Sequence, residues 1–384
     1  MTQQAVRTAR RPWCTVVLAA LAMLTIALAG CGATGTWRPQ PSSSAQFPLP
    51  PPPTLVPVAT ASTLATLPPI APLPVPAQPY LVGRRVVDLS RDDRPLPTLL
   101  LFPAVDTTRG LWDVAPGAFP LVVFSHGLRG SPDLYAAGLE PLAAAGFVVA
   151  APEYPHTSLD ATDYDPGDLL NQPADASAVL SAVLALAANP QDGLFGHIDA
   201  TRVAAAGHSA GGYTTLGLLT YARDYRVRAA VVLSGASLGG RFDASATPVL
   251  FVHGDSDEVV PYAYGRTSHD QMPWPKAFLT VLGADHAGYL RPTSPAYPVV
   301  TATVLEFLRA TLYGDVDALA RIPIAATSPL TRFESTLPTG PTSATPTPTD
   351  TPQPTQTPEL TATPSPSANA SPSTVEIQPT STGP

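Results

Sequence analysis

The chain has 384 residues, of which 45% are hydrophobic and 13% charged, and its formal net charge is −8. It holds 48 prolines, 27 of them within residues 32–79 and 327–384. About 245 residues are left to bury a core, enough for one catalytic domain rather than two. The acidic balance argues against nucleic acid or another phosphate-rich partner, and two cysteines, Cys14 and Cys31, exclude a disulfide framework and a cysteine-based zinc site.

Residues 1–30 read as an export leader. Arg7, Arg10 and Arg11 make a positive start, and the apolar run 16–28 is too short to span a bilayer comfortably as a permanent helix. The string Leu28-Ala29-Gly30-Cys31 that follows resembles the lipobox of bacterial lipoproteins. That resemblance implies removal of the leader and acylation of Cys31, which would anchor the exported protein to the outer face of a bacterial cell membrane. The alternative is an ordinary secreted protein cut near this point, with Cys31 a free thiol.

Residues 31–79 form a proline-rich linker. The four prolines 50–53 and the alternating string 71–76 have the composition of an extended polyproline-II spacer that cannot pack a core. Residues 80–315 alternate strand-like and helix-like runs, as in a mostly parallel sheet with helices on both faces. Strands are predicted at 85–89, 98–102, 121–125, 147–151, 203–206, 229–233, 249–252 and 278–282. Helices are predicted at 134–145, 174–188, 211–222 and 299–312, and the second is apolar on most faces and so expected to be well covered. Residues 316–384, rich in Thr, Pro and Ser, read as a disordered tail. Its Leu337-Pro338-Thr339-Gly340 and Asn369-Ala370-Ser371 strings read as chance composition.

The strongest chemical signal is Gly207-His208-Ser209-Ala210-Gly211-Gly212. It matches G-x-S-x-G between a strand and a helix, where a serine sits on a strained turn and small neighbours let backbones pass closely. Developing negative charge would meet the N-terminus of the following helix, with the Ala210 N–H as one donor. Such a serine needs a base oriented by an acid, in the chain order serine, acid, histidine. His286, in the loop after the strand at 278–282, is the expected base, and His269 reads as a surface loop residue. The acid lies in His253-Gly254-Asp255-Ser256-Asp257-Glu258, at Asp257 or at Asp255. Asp285 is expected to be solvated. A second oxyanion donor is expected in Ser125-His126-Gly127-Leu128-Arg129-Gly130, at the Leu128 N–H, with His126 bracing the loop rather than acting as a base.

Together these residues resemble an α/β-hydrolase from about residue 80 to residue 312. The stretch 124–155 and Gly207-His208-Ser209-Ala210-Gly211-Gly212-Tyr213-Thr214 are most similar to platelet-activating-factor acetylhydrolase-like and dienelactone-hydrolase-like esterases, with cutinase-like polyester hydrolases as relatives. The resemblance implies a serine esterase, the pairing of Leu128 with Ala210 around an oxyanion, and an acid at Asp257, since Gly254-x-x-Asp257 followed by Val259-Val260-Pro261 is similar to the family's acid loop. The chain departs from these groups in three ways. Dienelactone hydrolases carry cysteine where Ser209 stands; acetylhydrolases place the acid where this chain has Ser234-Gly235-Ala236; and cutinase-type enzymes usually carry a tryptophan in that same loop.

Tyr154, His156 and the carboxylates Asp160, Asp163, Asp165 and Asp168 are expected on the active-site edge as a lid or acyl-pocket wall. The carboxylates read as solvated, and a Ca²⁺ site is the alternative. Trp112, Trp274 and Tyr289 could line a groove or cover core edges, and His197 is placed at the opposite edge. The expected function is carboxylic-ester hydrolysis through an acyl-enzyme at Ser209, needing no metal or organic cofactor. Short- to medium-chain esters are the expected substrates, with lipids or polyesters as further candidates. A peptidase or amidase of the same fold and a catalytically silent surface-binding protein are the alternatives.

Overall fold

A computed structural model describes residues 70–106, 112–242 and 245–338. The leader, Cys31, most of the linker and the tail beyond residue 338 lie outside the described residues. Ten strands form one sheet: β1 (Leu81–Arg91), β2 (Arg94–Asp106), β3 (Trp112–Val114), β4 (Phe119–Ser125), β5 (Val148–Pro152), β6 (Ile198–His208), β7 (Val227–Leu233), β8 (Val249–Gly254), β9 (Lys276–Val281) and β10 (Thr331–Ser335). Their order is β1-β2-β5-β4-β6-β7-β8-β9-β10, with β3 beside β2. The run from β5 to β9 is parallel, flanked by antiparallel β2 and β10.

Burial on both faces explains why the central strands read as unbroken apolar runs: every residue of β4, β5 and β8 is buried. One face packs Val122, Val231 and Leu250 against α1 (Pro132–Ala144), α5 (Tyr297–Leu308) and α6 (Val316–Ala325) through Leu139, Phe307 and Ile322. The other packs Leu121, Ala205 and Val232 against α2 (Gln172–Ala188) and α3 (Ala210–Gly217) through Leu180 and Leu216. All eight predicted strands and four predicted helices are present.

The structure corrects the reading in four places. The chain past residue 316 is not a tail: α6 buries Ala318 and Ile322, and β10 pairs with β9 over five residues. Residues 70–79 are not wholly spacer, since the Leu73 N–H bonds Tyr313 O at 2.8 Å and Val75 packs on the core. An unpredicted helix, α4 (Tyr262–Gln271), buries His269 edge-on against the stacked rings of Phe251 and Phe278. Finally, α2 is covered on one side only, leaving Ser181, Ala185 and Ala188 exposed; small alanines cost little in water while their helix propensity is retained.

Candidate active site

The loops after β4, β6, β8 and β9 all open at the carboxyl edge of the sheet, where such folds bind ligands. Ser209 follows β6 and caps α3 with φ 57° and ψ −120°, a left-handed conformation that a side-chain-bearing residue holds only when its surroundings impose it. They do so through close approach: a Cβ on Gly207 would overlap Gly211 backbone, and one on Gly211 would overlap the Ser125 carbonyl. The Ser209 N–H bonds Leu233 O at 2.9 Å, and its carbonyl accepts the N–H groups of Gly212 and Tyr213. The hydroxyl is thus held at the tip of the turn, beside the N-terminus of α3.

Facing this turn is the loop after β4, close enough that a Cβ on Gly127 would stand 3.1 Å from Ser209 Cβ. Three of its amides are occupied. Gly127 N–H donates to Tyr135 Oη at 3.3 Å, Arg129 N–H to Thr157 O at 2.7 Å, and Gly130 N–H to Gly127 O at 2.9 Å. The Leu128 N–H between them has no internal acceptor among the described residues, and neither has the Ala210 N–H. His126 braces the loop from beneath: Nδ1 donates to Gly127 O at 2.8 Å while Nε2 accepts the Tyr154 N–H at 3.1 Å. Burial lowers its pKa to about 4, against the backbone hydrogen bond, so the ring is neutral.

Asp257 and His286 are joined directly, His286 Nδ1 donating to Asp257 Oδ2 at 2.8 Å. Asp257 Oδ1 accepts the N–H groups of Val259 and Val260, both at 2.9 Å, and Oδ2 also meets His253 Nε2 at 3.1 Å. Burial alone would raise this carboxyl's pKa; the hydrogen bonds from His253, His286 and Val260 overcome it and hold the group well below the usual carboxylate range. The two loops are stitched together, Ser256 N–H donating to Ala284 O at 3.1 Å. Asp255 is instead a turn residue, accepting the Gly283 N–H at 2.6 Å, and Asp285 is exposed and caps its own loop through the Ala287 and Gly288 N–H groups.

His208 links this half of the site to the loop after β4. Its Nε2 lies 2.9 Å from the carbonyl of His286, an acceptor, so Nε2 carries the hydrogen. Nδ1 therefore accepts from Tyr135 Oη at 2.8 Å, and the same oxygen accepts the Gly127 N–H. Burial, aided by the neighbouring His286, lowers the His208 pKa to about 4 and keeps this chain of bonds neutral. The rings of His208 and His286 are 4.7 Å apart, which places the imidazole of His286 beside the serine turn. No hydrogen bond links Ser209 Oγ to His286 among the described residues; contacts of this kind commonly tighten only when substrate binds.

Sequence reasoning missed Tyr135, His208 and His253 as supports. His253 stood in the acid string, four residues before Asp257, and His208 in the serine string, so both were within reach as signals. Other readings need correction. Tyr154 and Tyr289 are buried supports rather than lid or groove, bonding Ser125 Oγ at 2.8 Å and Ser234 Oγ at 3.0 Å. Of the two readings open for Trp274, the structure supports the core edge, against Phe242. In the 160–168 loop Asp168 is not solvated: it is buried and held by Arg94 at 2.7 Å, while Asp165 caps a turn and Asp163 pairs with His156. Among the described residues, no group of three His, Cys, Asp or Glu side chains is arranged to hold a metal ion. His197 lies at the start of β6, at the opposite edge from Ser209.

A serine on a strained strand-to-helix turn, two unoccupied amides beside it, and a histidine–carboxylate pair from later loops of a mostly parallel sheet define a hydrolase of the α/β type. The chain belongs to the alpha/beta hydrolase family, whose model matches residues 122–353. It is also 29% identical over 169 residues to Cutinase 2 of Thermobifida cellulosilytica, a match covering 43% of this chain and 59% of that protein. The same identity and length relate it to Cutinase cut1 of Thermobifida fusca, 49% of which is covered, and to the Cutinase of Thermobifida fusca (strain YX). The chain therefore spans only about half the length of the curated relatives it matches.

Proposed function

We propose that the protein is a serine-dependent carboxylic-ester hydrolase. The observation that carries this reading is the forced left-handed backbone of Ser209 between the free amides of Leu128 and Ala210, with the His286–Asp257 pair alongside. Ser209 Oγ attacks the ester carbonyl while His286 Nε2 takes its proton. The Leu128 and Ala210 N–H groups bind the oxyanion, each worth roughly 2.7–4 kcal/mol. His286 returns the proton to the departing alcohol, leaving an acyl-serine. Water, deprotonated by the same imidazole, then releases the acid and restores the hydroxyl. Asp257 fixes the His286 tautomer and stabilises the transient imidazolium.

The relatives named cutinase support an ester as the substrate class. Within the family we propose a likeness to the acetylhydrolase-like and dienelactone-hydrolase-like esterases, on the strings at 124–155 and 207–214, with polyesters and lipids as further candidate substrates. We also propose that Cys31 carries a lipid anchor outside a bacterial membrane, which a tryptic peptide beginning at Cys31 with an added acyl mass would support and an unmodified Cys31 would refute. The central test is p-nitrophenyl butyrate hydrolysis with fluorophosphonate labelling: wild type turns over and is labelled, and Ser209→Ala does neither. Wild-type turnover in Ser209→Ala would sink the assignment.

A further inference from the structure

Between α1 and α5, above the ends of β4, β6 and β7, lies a cavity of about 390 Å³. Its volume falls within the range of small-molecule pockets. Its floor includes Phe124 and Ala206, and its walls include Gly138 from α1 and Thr301 from α5. Small residues, among them Ala137, Gly138 and Ala206, leave part of its lining open. A Cβ on Gly138 would meet nothing nearer than Leu290 O at 3.7 Å.

The cavity's position is more informative than its size. Leu128 and Ala287, next to His286, both line it, so it adjoins the loops that carry the candidate oxyanion amide and the candidate base. Leu128 and Leu134, also on its wall, are 39% and 64% exposed, an apolar rim presented to water. We propose that this cavity takes the aliphatic acyl chain of the ester whose carbonyl is held at Ser209. The inference rests on the esterase reading above and narrows the substrate to straight-chain aliphatic esters. An alkyl chain matches a mostly aliphatic and aromatic lining, and it would leave the bound carbonyl between Leu128 and Ala287.

A p-nitrophenyl ester series from acetate to palmitate tests it. kcat/KM is expected to rise about fourfold per methylene until the cavity is filled, and then to level. Gly138→Leu and, from the opposite wall, Thr301→Leu should each lower the octanoate-to-acetate ratio of kcat/KM by about tenfold or more. Thermal melting confirms that each variant is folded. A ratio unmoved in both folded variants overturns the proposal while leaving the esterase reading intact. Should no ester be hydrolysed, the esterase reading fails, and calorimetry with octanoic acid decides the cavity: binding by wild type that is lost in Gly138→Leu supports it, and no binding overturns it.

Discussion

His253 Nε2 lies 3.1 Å from Asp257 Oδ2, the oxygen that His286 Nδ1 reaches at 2.8 Å. The same nitrogen is 2.9 Å from Val260 O, so a single N–H is shared between a carbonyl and the carboxylate, and it ties the acid to its own loop. The Asp257 side chain is fully buried, so each donor it loses is a donor water cannot replace.

His253→Leu removes that donor. The Asp257 pKa should rise toward its ordinary value, and the carboxylate should hold His286 less rigidly. A hydrogen bond to a charged group contributes about 1.5–3 kcal/mol, so kcat for p-nitrophenyl butyrate is expected to fall at least about tenfold. KM should change little, because nothing that touches the substrate is altered. His253→Asn, which keeps an N–H donor, should recover part of the loss; equal activity in both variants would remove His253 from the machinery.

The turn at Ser209 holds a side-chain-bearing residue at a positive φ, which costs strain energy. Ser209→Gly places at φ 57° and ψ −120° the one residue that adopts such angles without steric cost. Activity should vanish, while urea unfolding should show a gain of about 1 kcal/mol, since strain of this kind costs on the order of 1–3 kcal/mol and glycine gives some back through the entropy of the unfolded chain. Lower stability in Ser209→Gly would mean that the serine backbone is relaxed.

Buried imidazoles set the pH response of folding, those of His126, His208 and His269 all being held below the ordinary value by burial. His126 and His208 have pKa values near 4 in the folded protein, where an unfolded histidine titrates near 6.5. Between those values the unfolded chain binds more protons, so stability is complete above pH 6.5 and falls as pH drops toward 4, by up to about 3 kcal/mol per imidazole. Asp257 acts in a different window. Its folded pKa is depressed, so its contribution is present above about 3.8 and is lost only at more acid pH. Urea melts between pH 7.5 and 4.5 should show the loss in wild type and a shallower one in His126→Gln.

The fold and the serine turn were legible for the same reason: each is fixed locally. Parallel strands covered on both faces leave continuous apolar runs, and a serine elbow requires glycines at set offsets. Tyr135 and His208 were not legible as supports because they pair across long stretches of chain. His208 meets the His286 carbonyl 78 residues on, and Tyr135 meets His208 across 73. His269 was misread because α4, Tyr-Ala-Tyr-Gly-Arg-Thr-Ser-His-Asp-Gln, is polar in composition and follows a proline, although one side of it packs on Phe278. The domain end was misplaced because β10 is five residues long and embedded in Thr- and Pro-rich chain.

That last point has a direct test. In α6, Ala318 and Ile322 are four residues apart on one buried face, and Arg321 bridges Glu306 of α5 and Asp315. β10 covers the outer edge of β9, and Phe333 packs on the core. Ending the chain after residue 338 removes none of this, so its melting temperature and esterase activity should match the full chain's. Ending it after residue 315 uncovers the β9 edge, an invitation to aggregation, and exposes core beneath Ile322, whose burial alone contributes roughly 1.5–3 kcal/mol. The shorter protein should be insoluble or melt far below the longer one. A stable, active chain ending at 315 would return the boundary to where composition had put it.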